Sequence, residues 1–311
     1  MTRRLISITS LCIFLGIGAY WYTRTSVPPS PSHTINIVCT TSIIADTVKT
    51  IGGEHISVNC LMGPGIDPHV YRARERDVHT LANADIIFYH GLHLEGKMAH
   101  VLSNMQNYTT SVAVADAVPQ ELLIIPPDSG DQHDPHIWFD VSLWIYVAQH
   151  IGNTLAAYDP THAAEYRNRT QEYIEQLQKL HTSIKDAMHR IPANKRIIVT
   201  AHDAFSYFGK AYGCSVVGLQ GISTESEAGI ADITNLVDYI INHQVPVVFV
   251  ESSVSPKAVH ALSDACAARG WQLNLGPTLY TDALGEINSP AGTYLAMMRY
   301  TLTVFVQELS T

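Results

Sequence analysis

Short apolar runs alternate with helix-like stretches through both halves of the chain. In the first half, runs rich in β-branched residues, which are typical of buried strands, lie at residues 34–39, 56–61, 85–89 and 112–114. After residue 192 the alternation begins again, with runs at residues 196–200, 214–219, 245–251 and 272–275. Helices are predicted between and after these strands, among them residues 43–51, 72–82, 91–105, 254–269 and 294–309. Because strands that alternate with helices favour parallel pairing, the pattern predicts an α/β fold of two lobes, each a parallel β-sheet flanked by helices.

The longest helical pattern in the sequence separates these two halves. It runs from about residue 159 to 190, contains no Gly and, after Pro160, no further Pro. About 30 residues at 1.5 Å each span about 45 Å, more than the width of a small domain. We predict that residues 159–191 form one long backbone helix between an N-terminal lobe at 34–158 and a C-terminal lobe at 192–311. A long helix packed inside a single domain is the alternative.

The amino-terminal segment has the layout of an export signal. Two arginines precede an apolar stretch at residues 5–22, and a Pro/Ser-rich tether follows at residues 26–33. We expect residues 1–25 to be a signal peptide, or an uncleaved anchor, since no clear small-x-small cleavage site follows. Cys12 lacks the Leu-small-small context of a bacterial lipoprotein attachment site. The body of the protein is therefore predicted to be periplasmic, and an uncleaved segment would anchor it to the membrane.

Composition and charge favour a globular protein and argue against one that binds nucleic acid. Hydrophobic residues make up 46% of the chain and charged residues 15%, as in an ordinary globular protein. The formal net charge of −9 argues against a nucleic-acid partner and is compatible with attracting cations.

The five cysteines lack Cys-x-x-Cys spacing, so a thiolate zinc site is disfavoured. Cys39 and Cys60 fall near the ends of two predicted neighbouring strands. Two buried free thiols are expected there, and a disulfide in an oxidising compartment is the alternative.

Candidate chemistry begins with a tripeptide that occurs twice. Asp-Pro-His ends at His69 and again at His136, each time in a polar loop before a helix-like run. Proline fixes its own φ and keeps the preceding residue out of the helical region, so each histidine is held in a stiff loop. His202 follows a predicted strand, and Asp282 lies in the loop after the last one. Three imidazoles and one carboxylate, two from each half of the chain, are a complete ligand set for a divalent transition metal.

These motifs also carry a family resemblance. From about residue 35 to its carboxyl end the chain resembles the solute-binding proteins of zinc/manganese ABC importers, whose two lobes are joined by a single long helix. The segments that carry the resemblance are residues 63–69, 83–97, 134–140, 200–209, 218–227, 251–256 and 279–285. The resemblance implies four metal ligands between the lobes, namely His69, His136, His202 and Asp282. It also implies a cognate ABC permease in the inner membrane as the partner, and a monomeric carrier is expected.

The choice of metal is not fixed by the resemblance. Some family members carry glutamate where this chain has His202, a pattern associated with manganese. Many dedicated zinc members carry a long His-rich loop before the second ligand, whereas the loop here holds only His133. The expected cargo is therefore Zn²⁺ or Mn²⁺, with iron as a further option.

A carrier is favoured over an enzyme. A catalytic zinc usually keeps one position open for water, whereas four protein donors close the shell. The sequence contains no His-Glu-x-x-His, Gly-x-Ser-x-Gly or Walker lysine motif. The alternatives are a periplasmic metal buffer or adhesin and, less favoured, a metallohydrolase. Glu251 and Asp203 lie near the site loops and are candidates for orienting a ligand imidazole. Secondary ligand candidates are His90, His93, His100 and His133.

Overall fold

The computed structural model describes residues 34–127 and 130–310. The predicted signal or anchor (1–25) and tether (26–33) lie outside the described residues. Among those that are described, no helix is both long enough and apolar enough to cross a membrane.

The first lobe is built on a parallel sheet. Its strands are β1 (Ile35–Thr41), β2 (Ile56–Met62), β3 (Ile86–Tyr89) and β4 (Thr110–Ala113), in the order β2-β1-β3-β4. The central strand β1 is buried almost throughout because it has a neighbour on either side and helices over its faces.

The second lobe repeats this arrangement. Its strands are β5 (Ile197–His202), β6 (Ser215–Gln220), β7 (Val247–Glu251) and β8 (Asn274–Leu279), in the order β6-β5-β7-β8, again all parallel. The predicted fold of two parallel-sheet lobes is therefore confirmed. Strand β5 ends two residues later than the sequence pattern indicates because His202 pairs in register with Gln220.

The helices flank these sheets. They are α1 (Ser42–Gly52), α2 (Glu75–Ala82), α3 (Ala99–Met105), α4 (Val141–Tyr158), α5 (Ala163–His189), α6 (Ser206–Tyr212), α7 (Ile230–His243), α8 (Lys257–Ala268) and α9 (Tyr294–Leu309). The bounds of α9 agree with the prediction.

One predicted helix is much shorter than expected. Residues 91–105 are helical only from the short 3₁₀ turn at Gly96–Met98 onward. Gly91, Leu92 and His93 instead have positive φ angles of 89°, 50° and 62°. The buried Glu95 carboxylate accepts hydrogen bonds from the backbone N–H groups of His90 and Gly91, at 2.7 and 3.2 Å, which stabilises a loop at this point.

The long helix α5 lies between the two sheets in sequence and contributes to one continuous apolar core. It has 27 residues, and it begins after residue 162 because the Asp159 carboxylate accepts hydrogen bonds from His162 and Tyr166 and holds the preceding turn. Its buried side chains, which include Leu177 and Ile184, join a core that also contains residues of both sheets.

The carboxyl-terminal segment returns to the first lobe. The backbone N–H of Leu284 donates to the Ser42 hydroxyl, and that of Tyr294 donates to the Asp46 carboxylate, each at 2.8 Å. Helix α1 is therefore bound both to its own sheet and to the end of the chain.

Cys39 and Cys60 lie opposite each other in the β1–β2 register, and both are free thiols. Cys39 is buried as expected, whereas Cys60 is half-buried. Burial raises the pKa of Cys39 well above its usual range and that of Cys60 to about 11. Both thiols therefore stay protonated near neutral pH, which makes them poor metal ligands.

Candidate metal centre

Four side chains from both lobes converge at the carboxyl ends of the strands. His69, His136, His202 and Asp282 each offer one ligand atom, and these atoms all lie within 4.8 Å of one another. All four residues are buried, with exposed fractions between 0 and 3%. Ligands of parallel α/β sheets bind at this edge, outside the carboxyl ends of the strands.

The repeated Asp-Pro-His tripeptide adopts the same local geometry in both places. The Asp67 carboxylate accepts the backbone N–H of His69 at 2.9 Å, and Asp134 accepts that of His136 at the same distance. Because the intervening proline cannot donate a hydrogen bond, the aspartate and histidine close a rigid turn across it. Each histidine is therefore fixed at its backbone before its ring makes any contact.

The distances between the donor atoms match those of a coordination shell. His136 Nε2 lies 3.3 Å from His69 Nε2 and 3.3 Å from His202 Nε2. Asp282 Oδ1 lies 3.5 Å from His136 Nε2 and 3.6 Å from His202 Nε2. Nitrogen ligands placed tetrahedrally about 2.0–2.1 Å from a zinc ion lie about 3.3–3.4 Å apart.

Two of the rings are backed by buried carboxylates. The Nδ1 atom of His136 hydrogen-bonds Asp134 at 2.7 Å, and the Nδ1 atom of His202 hydrogen-bonds Glu251 closely. A ring that donates from Nδ1 presents an Nε2 lone pair to the centre, and two such lone pairs cannot hydrogen-bond each other. The 3.3 Å contact between His136 Nε2 and His202 Nε2 therefore suits a cation that lies between the two lone pairs.

Asp282 supplies the negative charge. Its Oδ2 atom accepts the Ser253 hydroxyl at 2.9 Å, while its buried Oδ1 atom has no hydrogen-bond partner among the described residues. Burial opposes ionisation of this carboxyl group, but the neighbouring His202 and His136 outweigh it and hold its pKa well below the usual range. An ionised, unpartnered oxygen that faces three imidazoles is suited to a cation.

The three rings differ in their affinity for protons. Burial lowers the pKa of His69 to about 3. Burial also opposes protonation of His136 and His202, but carboxylates overcome it at both. Asp134 and Asp282 raise the pKa of His136 to about 9, and Glu251 and Asp282 raise that of His202 well above its ordinary value.

The two residues proposed from sequence as ring-orienting groups have different contacts. Glu251 contacts His202 through both oxygens, since Oε1 also accepts the His202 backbone N–H at 2.9 Å. Asp203 instead accepts the hydroxyl of Ser206 at 2.9 Å. The sequence reasoning missed the ring contact of Asp134, although its position two residues before His136 was a usable signal.

The secondary histidines lie outside the four-residue cluster. His90 is buried edge-on against Trp138, with ring centroids 5.0 Å apart, and burial lowers its pKa to about 3. His93 and His133 line a cavity of about 370 Å³ beside His69. His100 hydrogen-bonds Asn104 on the surface.

A second group of potential ligands lies on the surface. Glu54, His55 and Glu165 have donor atoms within 4.8 Å of one another. Glu165 is already bound by the Arg169 guanidinium at 3.2 Å, and its side chain is 49% exposed. The positive charge of Arg169 opposes a cation there, so the buried cluster is the better candidate.

Three comparisons with known proteins agree with this geometry. The model of a family described as "Zinc-uptake complex component A periplasmic" matches residues 37–308. The manganese-binding lipoprotein MntA of Bacillus subtilis is 43% identical over 284 residues, which cover 91% of this chain and 92% of the relative. The zinc-binding protein TroA of Treponema pallidum is 41% identical over 274 residues, 88% of each chain.

The same relative is similar in three dimensions. The solved structure of the periplasmic zinc-binding protein TroA from Treponema pallidum superposes with a TM-score of 0.87 at 40% identity. The match covers 89% of this chain and all of that one. On the family match and on these relatives, the chain belongs to the zinc-uptake component A family of metal ABC-transporter substrate-binding proteins.

Proposed function

We propose that this chain is the solute-binding component of an ABC metal importer, which captures a divalent transition metal between its lobes and delivers it to a membrane permease. The observation that carries the proposal is the convergence of four buried donor atoms, two from each lobe, at distances suited to one ion. His69, His136, His202 and Asp282 are the proposed ligands.

The ligand set supports transport of the ion rather than catalysis. Three imidazoles and a carboxylate complete a tetrahedral shell and leave no position for a reactive water molecule. A further relative, the PsaA protein of Streptococcus pneumoniae, is 33% identical over 89% of this chain and is described as a manganese ABC transporter substrate-binding lipoprotein, which agrees with a carrier.

Zinc and manganese are the proposed cargoes. One relative is named for manganese and another for zinc, at similar identities to this chain. The 3.3 Å spacing of the imidazole nitrogens fits the short bonds of zinc, and an imidazole-rich site binds zinc more tightly than manganese. We therefore expect zinc to bind more tightly in vitro, with supply deciding which ion is carried. Iron remains a prediction from the donor set alone.

The two-lobed site provides a way to couple binding to closure. His69 and His136 come from the first lobe, and His202 and Asp282 from the second, so an ion that binds all four crosslinks the lobes. Such an ion stabilises the closed form by mass action. Release then requires that docking on the permease separates the donors.

The proposed setting follows from the relatives and the sequence. A periplasmic or lipoprotein location outside the cytoplasm suits a chain whose relatives carry those descriptions. We further propose that the protein acts as a monomer, with lobes at residues 34–158 and 192–311 and a connector at 159–191.

A competition titration tests the proposal. The purified protein is titrated with zinc and with manganese against a chromophoric chelator, alongside the His202→Ala and His260→Ala variants. His260 is exposed on α8, lies outside the ligand cluster and serves as the matched control. We expect one high-affinity site, lost by at least about a hundredfold in His202→Ala and unchanged in His260→Ala. Equal affinity in all three proteins would refute the ligand assignment.

An uptake measurement separates an importer component from a metal buffer or adhesin. Deletion of the gene should abolish high-affinity metal accumulation by the cells, and the wild-type gene should restore it. Uptake that persists at low metal concentration after deletion would favour the buffer or adhesin.

A further inference from the structure

The two lobes also meet through side chains at the outer edge of the cleft. The Thr224 hydroxyl, from the loop between β6 and α7, donates to Asp67 Oδ2 at 2.6 Å. One residue further along, Glu225 accepts a hydrogen bond from Lys97 Nζ, also at 2.6 Å. Both contacts join the same loop of the second lobe to the first lobe. We call these two pairs the rim latch.

Asp67 connects this latch to a ligand. Its Oδ1 atom accepts the backbone N–H of His69, while its Oδ2 atom accepts the Thr224 hydroxyl. The carboxylate thus ties the backbone of a proposed ligand in one lobe to a side chain of the other. Asp67 is half-buried, so solvent screens its hydrogen bonds less than those of a fully exposed carboxylate.

His69 depends on such indirect support more than the other rings do. The rings of His136 and His202 each hydrogen-bond a buried carboxylate. Among the described residues, no carboxylate accepts a hydrogen bond from the His69 ring. The position of His69 therefore rests on its turn, and the turn rests on Asp67.

The second pair of the latch is closely fitted to the first lobe. A Cβ atom added to Gly96 would lie 3.7 Å from Glu225 Oε1, so the loop packs directly beside Lys97. The Lys97 and Glu225 side chains are 34% and 40% exposed, which limits the strength of their ion pair.

The inner side of the cleft is joined in a different way. Trp138 Nε1 donates to the Thr281 carbonyl at 2.9 Å, and the Tyr207 hydroxyl donates to the Asp134 carbonyl at 2.9 Å. These bonds are buried, and each ends on a backbone carbonyl. The rim latch consists of side-chain pairs that rotamer changes alone can break.

We propose that Thr224 and Glu225 are positioning residues that hold His69 against the bound metal and slow its release. The inference rests on the proposed function and adds to it a specific role for the 218–227 segment, which contributes no ligand. When the latch opens, His69 is the ligand that moves away first, and the ion keeps its contacts with His136, His202 and Asp282.

Metal release from Thr224→Val and Thr224→Ser tests the role of the hydroxyl. Valine keeps the shape of threonine but leaves Asp67 Oδ2 without its donor, whereas serine keeps the donor. Zinc-loaded protein is mixed with excess chelator in a stopped-flow instrument. We expect Thr224→Val to release zinc roughly tenfold faster, because a hydrogen bond to a charged group is lost, and Thr224→Ser to release it at close to the wild-type rate. Thr234→Val, on the exposed face of α7, is the matched control and should not change the rate.

A charge swap tests the second pair. Lys97→Met and Glu225→Gln should each speed release by roughly two- to fivefold at low salt and by less at high salt. The double variant Lys97→Glu with Glu225→Lys should restore most of the wild-type rate because it rebuilds the ion pair. Lys257→Met, an exposed lysine at the start of α8, is the control.

Each outcome bears on a different claim. Failure of the wild-type protein to bind either zinc or manganese would refute the proposed function. Normal binding with identical release rates in the wild type and Thr224→Val would refute the latch alone. A third outcome is that Thr224→Val and Thr224→Ser both release zinc faster and that both metal-free variants lose the same thermal stability. This outcome would show that Thr224 has a structural role instead. If Thr224→Val does not fold, the release rates of the Lys97 and Glu225 variants test the latch instead, and rates equal to the wild-type rate would refute it.

Discussion

The inner and outer parts of the site are built differently. On the inner side, His136 and His202 are fully buried, and each ring is fixed by a carboxylate behind it. On the outer side, His69 is held by a turn, and its ring has a cavity of about 370 Å³ beside it. Two ligands are thus preorganised by charge, whereas the third is placed by the backbone.

Because of this difference, we expect the inner ligands to control the affinity for the ion and the outer ligand to control its exchange. Ligands whose orientation is fixed before binding lose little entropy when the ion arrives, so the inner pair should set most of the affinity. A ligand on an outer loop can withdraw without exposing a buried carboxylate. His69 is therefore suited to control the entry and exit of the ion.

The largest expected effect concerns the stability of the metal-free protein. His202→Ala leaves the buried Glu251 carboxylate without the ring that it contacts, so we expect a loss of about 3 kcal/mol in the free energy of unfolding. His69→Ala leaves no such carboxylate and should cost less than about 1 kcal/mol. Urea unfolding in the presence of a chelator measures both. Equal losses would contradict the distinction between the inner and outer ligands.

A smaller effect is expected from the carboxylate behind His136. Asp134→Asn removes the negative charge that orients this ring, and zinc affinity should fall by between about ten- and a hundredfold. Asp203→Asn is the matched control, because Asp203 is also near the site but bonds Ser206. Chelator competition measures the two dissociation constants. The same affinity in both variants would show that the carboxylate behind the ring contributes nothing specific.

The response of affinity to pH tests the difference between the inner and outer rings in a third way. Burial holds the pKa of His69 near 3, so this ring is neutral and releases no proton on binding. The net effect of Asp134 and Asp282 raises the pKa of His136 to about 9 against the opposing effect of burial, so the metal must displace a proton there at neutral pH. Affinity should therefore rise with pH, by about tenfold per unit between pH 6 and 8 for each proton displaced. Affinity that is constant over this range would contradict the account.

The sequence predicted the proposed metal ligands better than it predicted the carboxylates that hydrogen-bond their rings. All four proposed ligands were named from loops at strand ends, and the structure brings them together. The contact between Glu251 and His202 depends on the strand order β6-β5-β7-β8, which puts the ends of β5 and β7 side by side. A single sequence indicates strands but not their order, so Glu251 could be named only as a candidate.

The two Asp-Pro-His turns show a second limit. Their backbone geometry is the same, yet only the aspartate of the second turn hydrogen-bonds the ring of its histidine. In the first turn the free oxygen of Asp67 bonds Thr224, which is 157 residues away in sequence. Local sequence determined both turns, whereas the partner of the second Asp67 oxygen comes from the other lobe.

The predicted start of the helix at residues 91–105 was wrong for a related reason. Residues 91–95 have the composition of a helix start, but the buried Glu95 binds the backbone ahead of it and holds Leu92 and His93 at positive φ. The carboxylate also accepts the Thr40 hydroxyl of β1 at 2.6 Å. A tertiary contact of this kind outweighs the modest helix propensity of a few residues.

The most direct test of the central claim is a crystal structure of the zinc-loaded protein with data collected at the zinc absorption edge. We predict one strong anomalous peak, about 2.0–2.2 Å from His69 Nε2, His136 Nε2, His202 Nε2 and Asp282 Oδ1. A principal peak elsewhere, for example beside Glu54, His55 and Glu165, would contradict the account.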